Sequence, residues 1–241
     1  MELNILLILF ITVLVAAIVQ GISGFAFGII MLMVLPYFFS YSQTLAMASF
    51  MTVFVLGYNA FLYRQHINWK QVPLTIVTFI VSDFFAVRLL KYIGDAPIWY
   101  TLLGIFFIMM AVYLLWGQDW FKIKPTTANA VLFNGVSGIV TGMFGAGGPI
   151  AATYFLAVAK DAKEYLGTTQ IIFFFTMMID VVLRAINGMY TSTMIVYGIS
   201  SLWCAVLGLL IGRKLFQYIS AATLRKVVCA LMFFSGIKML L

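Results

Sequence analysis

A glycine-rich run near the middle of the chain reads Gly135-Val136-Ser137-Gly138-Ile139-Val140-Thr141-Gly142-Met143-Phe144-Gly145-Ala146-Gly147-Gly148-Pro149. Each glycine inside a helix costs roughly 1 kcal/mol relative to alanine, so the run predicts a break in an apolar helix. Pro149 suits the first turn of a new helix, because proline has no N–H to leave unpaired. A helix N-terminus at membrane depth presents free N–H groups and a positive dipole end, which favour an anion. The alternative is that these glycines only let neighbouring helices pack closely.

The composition identifies a polytopic membrane protein. Of its 241 residues 64% are hydrophobic and only 9% are charged, whereas a soluble domain carries roughly 25% charged residues. The fourteen Lys and Arg are scattered among the connecting segments, which is typical of membrane orientation and not of a nucleic-acid-binding face. Cys204 and Cys229 lie in apolar stretches without CxxC spacing, so we expect packing residues and neither a disulfide nor a metal site.

Eight apolar segments have or approach the ~20 residues that a helix needs to cross a bilayer. They lie near residues 4–35, 43–62, 72–93, 97–116, 127–159, 165–187, 192–218 and 222–241. The most polar interruption, 118–126, is interpreted as a connector between a first transmembrane repeat, 1–117, and a second, 127–241. The sequence therefore predicts an all-α protein of about eight transmembrane segments in two four-segment repeats.

The two halves align with each other. Gly21-Ile22-Ser23-Gly24 followed by Gly28 matches Gly135-Val136-Ser137-Gly138 followed by Gly142, at a constant offset of 114 residues. Farther along, an offset of 121 places Asn59 opposite Asp180. Internal duplication with paired, interrupted helices indicates a transporter whose site lies between the repeats.

The distribution of basic residues favours inverted repeats. If the first segment of each half is a broken, re-entrant hairpin, each half crosses three times and the second half is inverted. With this topology, ten Lys and Arg lie on one side of the membrane and four on the other, as the positive-inside rule requires. With eight full crossings the numbers are eight and six, which does not decide the orientation. The inverted arrangement predicts both termini outside.

The twin glycine motifs, the prolines Pro36 and Pro149 and the duplicated layout resemble the TauE/SafE family of sulfite and organosulfonate exporters, also called the toluenesulfonate uptake permease family. The stretches 63–69 and 163–170 are similar to its loop after the second helix and to the start of its sixth helix. The resemblance covers essentially the whole chain. It implies a multi-pass protein of the cell inner membrane that transports small sulfur-containing anions such as sulfite or sulfonates.

Charged residues within membrane segments are costly and are functional candidates by default. Asp180 and Arg184 are four residues apart and share one helical face, either as a mutually neutralising pair or as part of an anion site. We assign coupling or gating to Asp180, Asn59, Asp83 and Arg88. The predicted substrate-binding residues lie in the two glycine motifs and at the start of the sixth segment. They are Gly21, Ser23, Gly24, Gly28, Gly135, Ser137, Gly138, Gly142, Gly145, Gly147, Gly148, Pro149, Thr168, Thr169, Gln170 and Arg184.

Three functions compete. An anion permease that works by alternating access is favoured by the paired breaks and the buried arginine. A divalent-cation permease would need clustered oxygen and nitrogen ligands, yet only Asp83 and Asp180 are available. A membrane-embedded enzyme would need a nucleophile and base or a metal constellation, which the sequence does not offer. We therefore expect a transporter and no enzyme, without cofactor or nucleic acid, whose partners are the lipid bilayer, a small anion and, as an open alternative, further copies of itself.

Overall fold

The computed structural model describes residues 2–24, 26–117, 123–215 and 221–241, and within these ranges its regular secondary structure is helical, without strands. The predicted all-α class is confirmed. The first five helices are α1 (Glu2–Ser23), α2 (Phe27–Val34), α3 (Tyr41–Leu62), α4 (Val72–Ile93) and α5 (Ile98–Val112). The next five are α6 (Thr127–Phe144), α7 (Gly148–Val158), α8 (Ala162–Ile186), α9 (Ser192–Leu215) and α10 (Ala221–Leu240). Of the predicted connector 118–126, residues 118–122 lie outside the described ranges.

Seven of these helices are long and apolar enough to cross a membrane within the described ranges: α1, α3, α4, α5 with the π-helical turn that follows it, α6, α8 and α9. The eighth predicted segment forms α10, whose 20 residues include Arg225, Lys226 and Lys238. By length and apolarity, the structure thus supports seven of the eight predicted spans. Their identity as membrane helices follows from composition, since a run of ~20 apolar residues matches the hydrocarbon thickness.

Both predicted interruptions are present. α1 ends at Ser23, Gly24 adopts a φ of 82°, and α2 begins at Phe27. In the second half, Gly145 ends α6 with a φ of 65°, and α7 begins at Gly148 with proline in its first turn. Only glycine adopts such positive φ values without strain. The short helices α2 and α7 have 8 and 11 residues, which is too few to cross a bilayer alone.

The long helices pack in pairs: α1 against α9, α4 against α6, α5 against α10 and α3 against α8. Glycines make two of these contacts close. A Cβ on Gly138 of α6 would lie 2.5 Å from the Phe79 carbonyl oxygen of α4, and one on Gly212 of α9 would lie 2.3 Å from the Ile18 carbonyl oxygen of α1. Small residues allow this approach between membrane helices. The α3–α8 pair lies between the two breaks and supplies most of the polar side chains described below.

Candidate functional site

The second break, Gly145–Gly147, is closed by hydrogen bonds from both halves of the chain. The Ser137 hydroxyl donates to the Gly147 carbonyl oxygen at 2.8 Å, and the Tyr41 hydroxyl of α3 donates to the Met143 carbonyl oxygen at 2.7 Å. A Cβ on Gly147 would lie 2.1 Å from the Ser137 carbonyl oxygen, so only glycine fits there. Backbone freed by a break in a membrane helix must find such partners within the protein.

Arg184 is fully buried and joins α8 to this break. Its Nε donates to Asp180 Oδ2 at 2.8 Å, and its Nη2 donates to the carbonyl oxygens of Thr141 and Gly142 at 3.3 and 3.1 Å. The Ser49 hydroxyl of α3 donates to the same Asp180 oxygen. The i,i+4 spacing thus places Asp180 and Arg184 on one face as expected, and the arginine holds the backbone of the second break.

Asp83 of α4 lies beside this ion pair. Its side chain is 0% exposed, it is close enough to Asp180 and Arg184 to interact electrostatically with both, and a Cβ on Gly142 would lie 2.9 Å from its Oδ1. Arg88, by contrast, is exposed, and its guanidinium lies 5.3 Å from the centre of the Phe84 ring. The structure therefore brings Asp83 together with Asp180 and Arg184, a group that we call the α4–α8 cluster, and leaves Arg88 on the outer surface.

Neutral amides hold the first break. Gln20 Nε2 and Gln170 Nε2 donate to the Gly24 carbonyl oxygen at 2.9 and 2.6 Å, and the Phe27 N–H donates to Gln20 Oε1 at 3.0 Å. Asn59 Nδ2 donates to Gln170 Oε1 at 3.3 Å. Sequence reasoning missed Gln20, although an amide in an apolar helix four residues before a glycine break could have indicated it.

A cavity of about 50 Å³ lies where the two breaks meet. Its lining includes Gly28 from the first break, Gly145–Pro149 from the second, and Ser49 and Thr52 from α3. A Cβ on Gly28 would lie 3.2 Å from the Gly145 carbonyl oxygen, so the two breaks touch here without a side chain between them. Among the described residues, those that line the cavity are uncharged. Its volume is far below the 300 Å³ or more typical of drug-sized ligand sites and suits a small ion.

The N-terminus of α7 faces this cavity through Gly147, Gly148 and Pro149. No side chain caps that end of the helix. Pro149 has no N–H, and the Ile150 N–H donates to the Gly147 carbonyl oxygen at 3.0 Å, so this end contributes chiefly the positive end of the helix dipole. The cavity therefore combines a positive helix end with nearby hydroxyl groups, which is a favourable environment for a small anion.

Other predicted substrate ligands serve the backbone away from this cavity. Thr168 Oγ1 accepts from the Asn68 N–H at 2.9 Å, and Thr169 Oγ1 donates to the Tyr165 carbonyl oxygen at 2.7 Å. Gly21, Gly24, Asn59 and Gln170 line a second cavity of about 50 Å³ at the first break. Gly135 lies in ordinary contact with α4, and the side chain of Ser23 lies outside the described residues. Sequence reasoning missed Ser49 and Thr52, because no local pattern marks a hydroxyl that faces a distant break.

No group of three or more His, Cys, Asp or Glu side chains that could hold a metal ion occurs in the described part of the chain. The polar centre of the molecule is instead two carboxyl groups, one guanidinium and the hydroxyls and carbonyls around them. This set can position backbone, neutralise charge and carry a proton.

Comparison with known proteins agrees with a membrane transporter. The family model described as sulfite exporter TauE/SafE matches residues 9–239. A curated relative, described as a probable membrane transporter protein of Methanocaldococcus jannaschii, is 29% identical over 177 residues, which cover 66% of each of the two chains. No solved structure matches the chain. Since the family model spans residues 9–239, nearly the whole length, the chain belongs to the TauE/SafE sulfite exporter family.

Proposed function

We propose that the protein is a secondary transporter that moves a small sulfur-containing anion, such as sulfite or an organosulfonate, across the inner membrane by alternating access. The observation that carries this proposal is the cavity at the meeting point of the two breaks. It is small, uncharged, and faced by the uncapped end of α7 and the hydroxyls of Ser49 and Thr52. The family description supports the substrate class.

The site chemistry favours a small oxyanion. The positive end of the α7 dipole, together with hydroxyl groups that can turn from their present acceptors to a ligand, stabilises oxygen-centred charge more strongly in a dry site than in water. A membrane potential that is negative inside favours exit of each net negative charge by about 2.3 kcal/mol per 100 mV. The membrane potential alone can therefore drive export of an uncoupled anion.

The helix contacts support a twofold relation between the repeats 1–117 and 127–241, and the uneven distribution of Lys and Arg favours the inverted arrangement as the basis of alternating access. If α1 to α5 correspond to α6 to α10, exchanging the halves turns the α1–α9 contact into the α4–α6 contact and maps the α3–α8 and α5–α10 contacts onto themselves. An internal twofold relation would produce this pattern. In transporters of this type one repeat rocks against the other around a central site.

Ligand-dependent stability of the purified protein tests the substrate class. We would measure thermal unfolding with sulfite, sulfate, methanesulfonate, a small carboxylate and Mn²⁺. A ligand at a hundredfold excess over its dissociation constant stabilises the folded state by about 2.7 kcal/mol, so a shift with sulfite or methanesulfonate is expected. A shift with Mn²⁺ alone would favour a divalent-cation permease and contradict the proposal.

A matched pair of variants locates the site. Thr52 Oγ1 donates to the Ala48 carbonyl oxygen of its own helix at 2.6 Å and lines the cavity, whereas Thr78 Oγ1 makes the same kind of bond to Leu74 at 2.8 Å and does not line it. We expect Thr52→Val to weaken anion binding about tenfold, because the hydroxyl can turn from the Ala48 carbonyl oxygen to the anion, and a hydrogen bond to a charged group, worth roughly 1.5–3 kcal/mol, is stronger than the neutral one that it replaces. Thr78→Val should leave affinity unchanged. Equal effects of the two substitutions would place the site elsewhere.

A further inference from the structure

The charge of the α4–α8 cluster does not balance. Asp83, Asp180 and Arg184 are each 0% exposed, so two carboxyl groups share one guanidinium in the interior. Arg184 directs its Nε to Asp180, and its Nη2 is used by the backbone of the second break. Buried charges are tolerated only when they are paired and hydrogen-bonded. One negative charge is therefore in excess if both carboxyl groups are ionised.

No donor compensates Asp83. In the described ranges, no N–H or O–H group donates to either of its carboxyl oxygens, and Asp180 Oδ1 is likewise without a donor. Both carboxyl groups adjoin the same guanidinium: a Cβ on Gly142 would lie 2.9 Å from Asp83 Oδ1, and Arg184 donates both to the Gly142 carbonyl oxygen and to Asp180. Two ionised carboxylates are both acceptors only, so they can share a hydrogen bond solely if one of them holds a proton.

The elements packed around the cluster supply no second cation. From α3 and the α8–α9 loop, Tyr41 and Tyr190 face it, and their hydroxyls donate to the carbonyl oxygens of Met143 and Ala46. From α6, the carbonyl groups of Thr141 and Gly142 accept from Arg184, and the helix has no ionisable side chain. Among the described residues near the cluster, Arg184 is thus the single positive charge. A proton balances the remaining charge without further ligands.

We propose that Asp83 and Asp180 share one proton between their carboxyl groups and that this proton crosses the membrane together with the anion. The second part of this inference rests on the proposed function. The link between the two sites is Ser49, which lines the cavity and donates to Asp180. With the proton the cluster is neutral, and without it the cluster is negative and repels an anion in the adjoining cavity. Proton and anion therefore favour each other's binding, as reciprocal coupling requires.

The charge balance of a transport step follows directly. The proton comes from water on the side where the anion enters, binds between the two carboxyl groups, and returns to water on the side where the anion leaves. A monovalent sulfonate then moves without net charge, and a divalent anion moves with one net negative charge. For a divalent anion the proton gradient and the membrane potential would together set the direction, whereas for a monovalent sulfonate the proton gradient would act in place of the potential that drives an uncoupled anion outward.

Infrared spectroscopy of the purified full-length protein tests the shared proton without any substrate. At neutral pH the wild-type protein should show the C=O stretch of a protonated carboxyl group, and this band should vanish reversibly as the pH is raised. Asp83→Asn and Asp180→Asn should each lack it, because the remaining carboxylate pairs with Arg184. The control Asp161→Asn removes an exposed carboxyl group and should keep the band. An absent wild-type band, a band that survives both substitutions, or a band that Na⁺ abolishes would overturn the proposal.

Transport in liposomes tests the coupling. Methanesulfonate is a suitable probe because a sulfonate stays ionised and carries no proton of its own, and a trapped pH-sensitive dye reports proton movement. Wild type and Asp161→Asn should acidify the lumen during methanesulfonate entry, whereas Asp83→Asn should exchange methanesulfonate without moving protons. Methanesulfonate entry by the wild type without acidification would overturn the coupling. If no methanesulfonate moves, the proposed substrate class fails, and the infrared result still decides on the shared proton.

Discussion

The first break is held by amides and the second by charges. At Gly24, the side chains of Gln20 and Gln170 donate to one carbonyl oxygen, and every partner is neutral. At Gly145–Gly147, a buried guanidinium holds two carbonyl oxygens of α6 and is itself held by a carboxylate. Hydrogen bonds to charged groups are roughly twice as strong as neutral ones. They also depend on protonation, which amide hydrogen bonds do not.

The difference between the amide-supported and the charge-supported break occurs at equivalent positions of the two repeats. The offset of 121 that places Asn59 opposite Asp180 also places Ser49 opposite Gln170. Asn59 bonds to Gln170 near the first break, and Ser49 bonds to Asp180 near the second. The same α3–α8 contact thus occurs twice, once with an amide pair and once with a hydroxyl and a carboxylate. The comparison indicates a fixed support at the first break and a support that can respond to protons at the second.

Removing the guanidinium should have the largest effect. Arg184→Met leaves buried carboxylates without their cation and two carbonyl oxygens without a donor, so we expect a loss of about 3–5 kcal/mol in the free energy of unfolding. Chemical denaturation in detergent would measure it. Arg88→Met is the matched control, because Arg88 is exposed, and it should change stability little. If both variants lost the same stability, the second break would not depend on its charges.

The two breaks should also differ in their tolerance of a methyl group. Gly147→Ala places its Cβ against the Ser137 carbonyl oxygen, which is backbone and cannot move aside, so we expect a loss of about 3 kcal/mol. Gly24→Ala meets the ends of two side chains, Leu166 at 3.1 Å and Gln170 Nε2 at 3.5 Å, and we expect the milder cost of its positive φ, about 1–2 kcal/mol. Thermal unfolding of the two variants side by side measures the difference. The reverse order would mean that the first break is the tighter one.

Weakening the amide support should cost less than removing the charge. Gln170→Ala leaves the Gly24 carbonyl oxygen with Gln20 as a donor and deprives Asn59 of its acceptor. We expect a loss of about 1–2 kcal/mol, the worth of one or two ordinary hydrogen bonds. The exposed Gln65→Ala serves as the control and should be near neutral. A loss as large as that of Arg184→Met would remove the contrast between the breaks.

The smallest effect concerns the start of α8, the helix that supports both breaks. The Asp161 carboxylate accepts from the N–H groups of Glu164 and Lys163, at 2.8 and 2.9 Å, and these hydrogen bonds hold its pKa below the usual value. Because the folded pKa is lowered, the carboxylate's contribution to stability is present above the unfolded pKa of about 3.9 and is lost as the pH falls through the folded value.

Asp161→Asn keeps a capping side chain that does not titrate. We expect the melting temperature of the wild type to fall slightly more steeply than that of the variant as the pH is lowered from about 6 to about 3. Parallel profiles over that range would mean that the ionised cap does not stabilise α8.

The sequence predicted features that depend on local composition. The two breaks, the apolar segments and the shared face of Asp180 and Arg184 all follow from glycine content, hydropathy and helical spacing. It could not predict that Gln170 reaches Gly24, or that Asp83 joins Asp180 while Arg88 stays outside. These contacts depend on how α3, α4, α6 and α8 pack, and no short-range pattern encodes that packing.

The number of residues in α8 between Gln170 and Arg184 determines which way the two side chains face, and both must face the breaks. Gln170 and Arg184 belong to one continuous helix of 25 residues, and their separation of 14 positions spans about 21 Å and returns to nearly the same face. Inserting or deleting one residue between them would rotate one end by about 100° relative to the other. Either Gln170 would lose the first break or Arg184 the second. This segment should accept many substitutions on its lipid-facing side, but it should not tolerate a change in length.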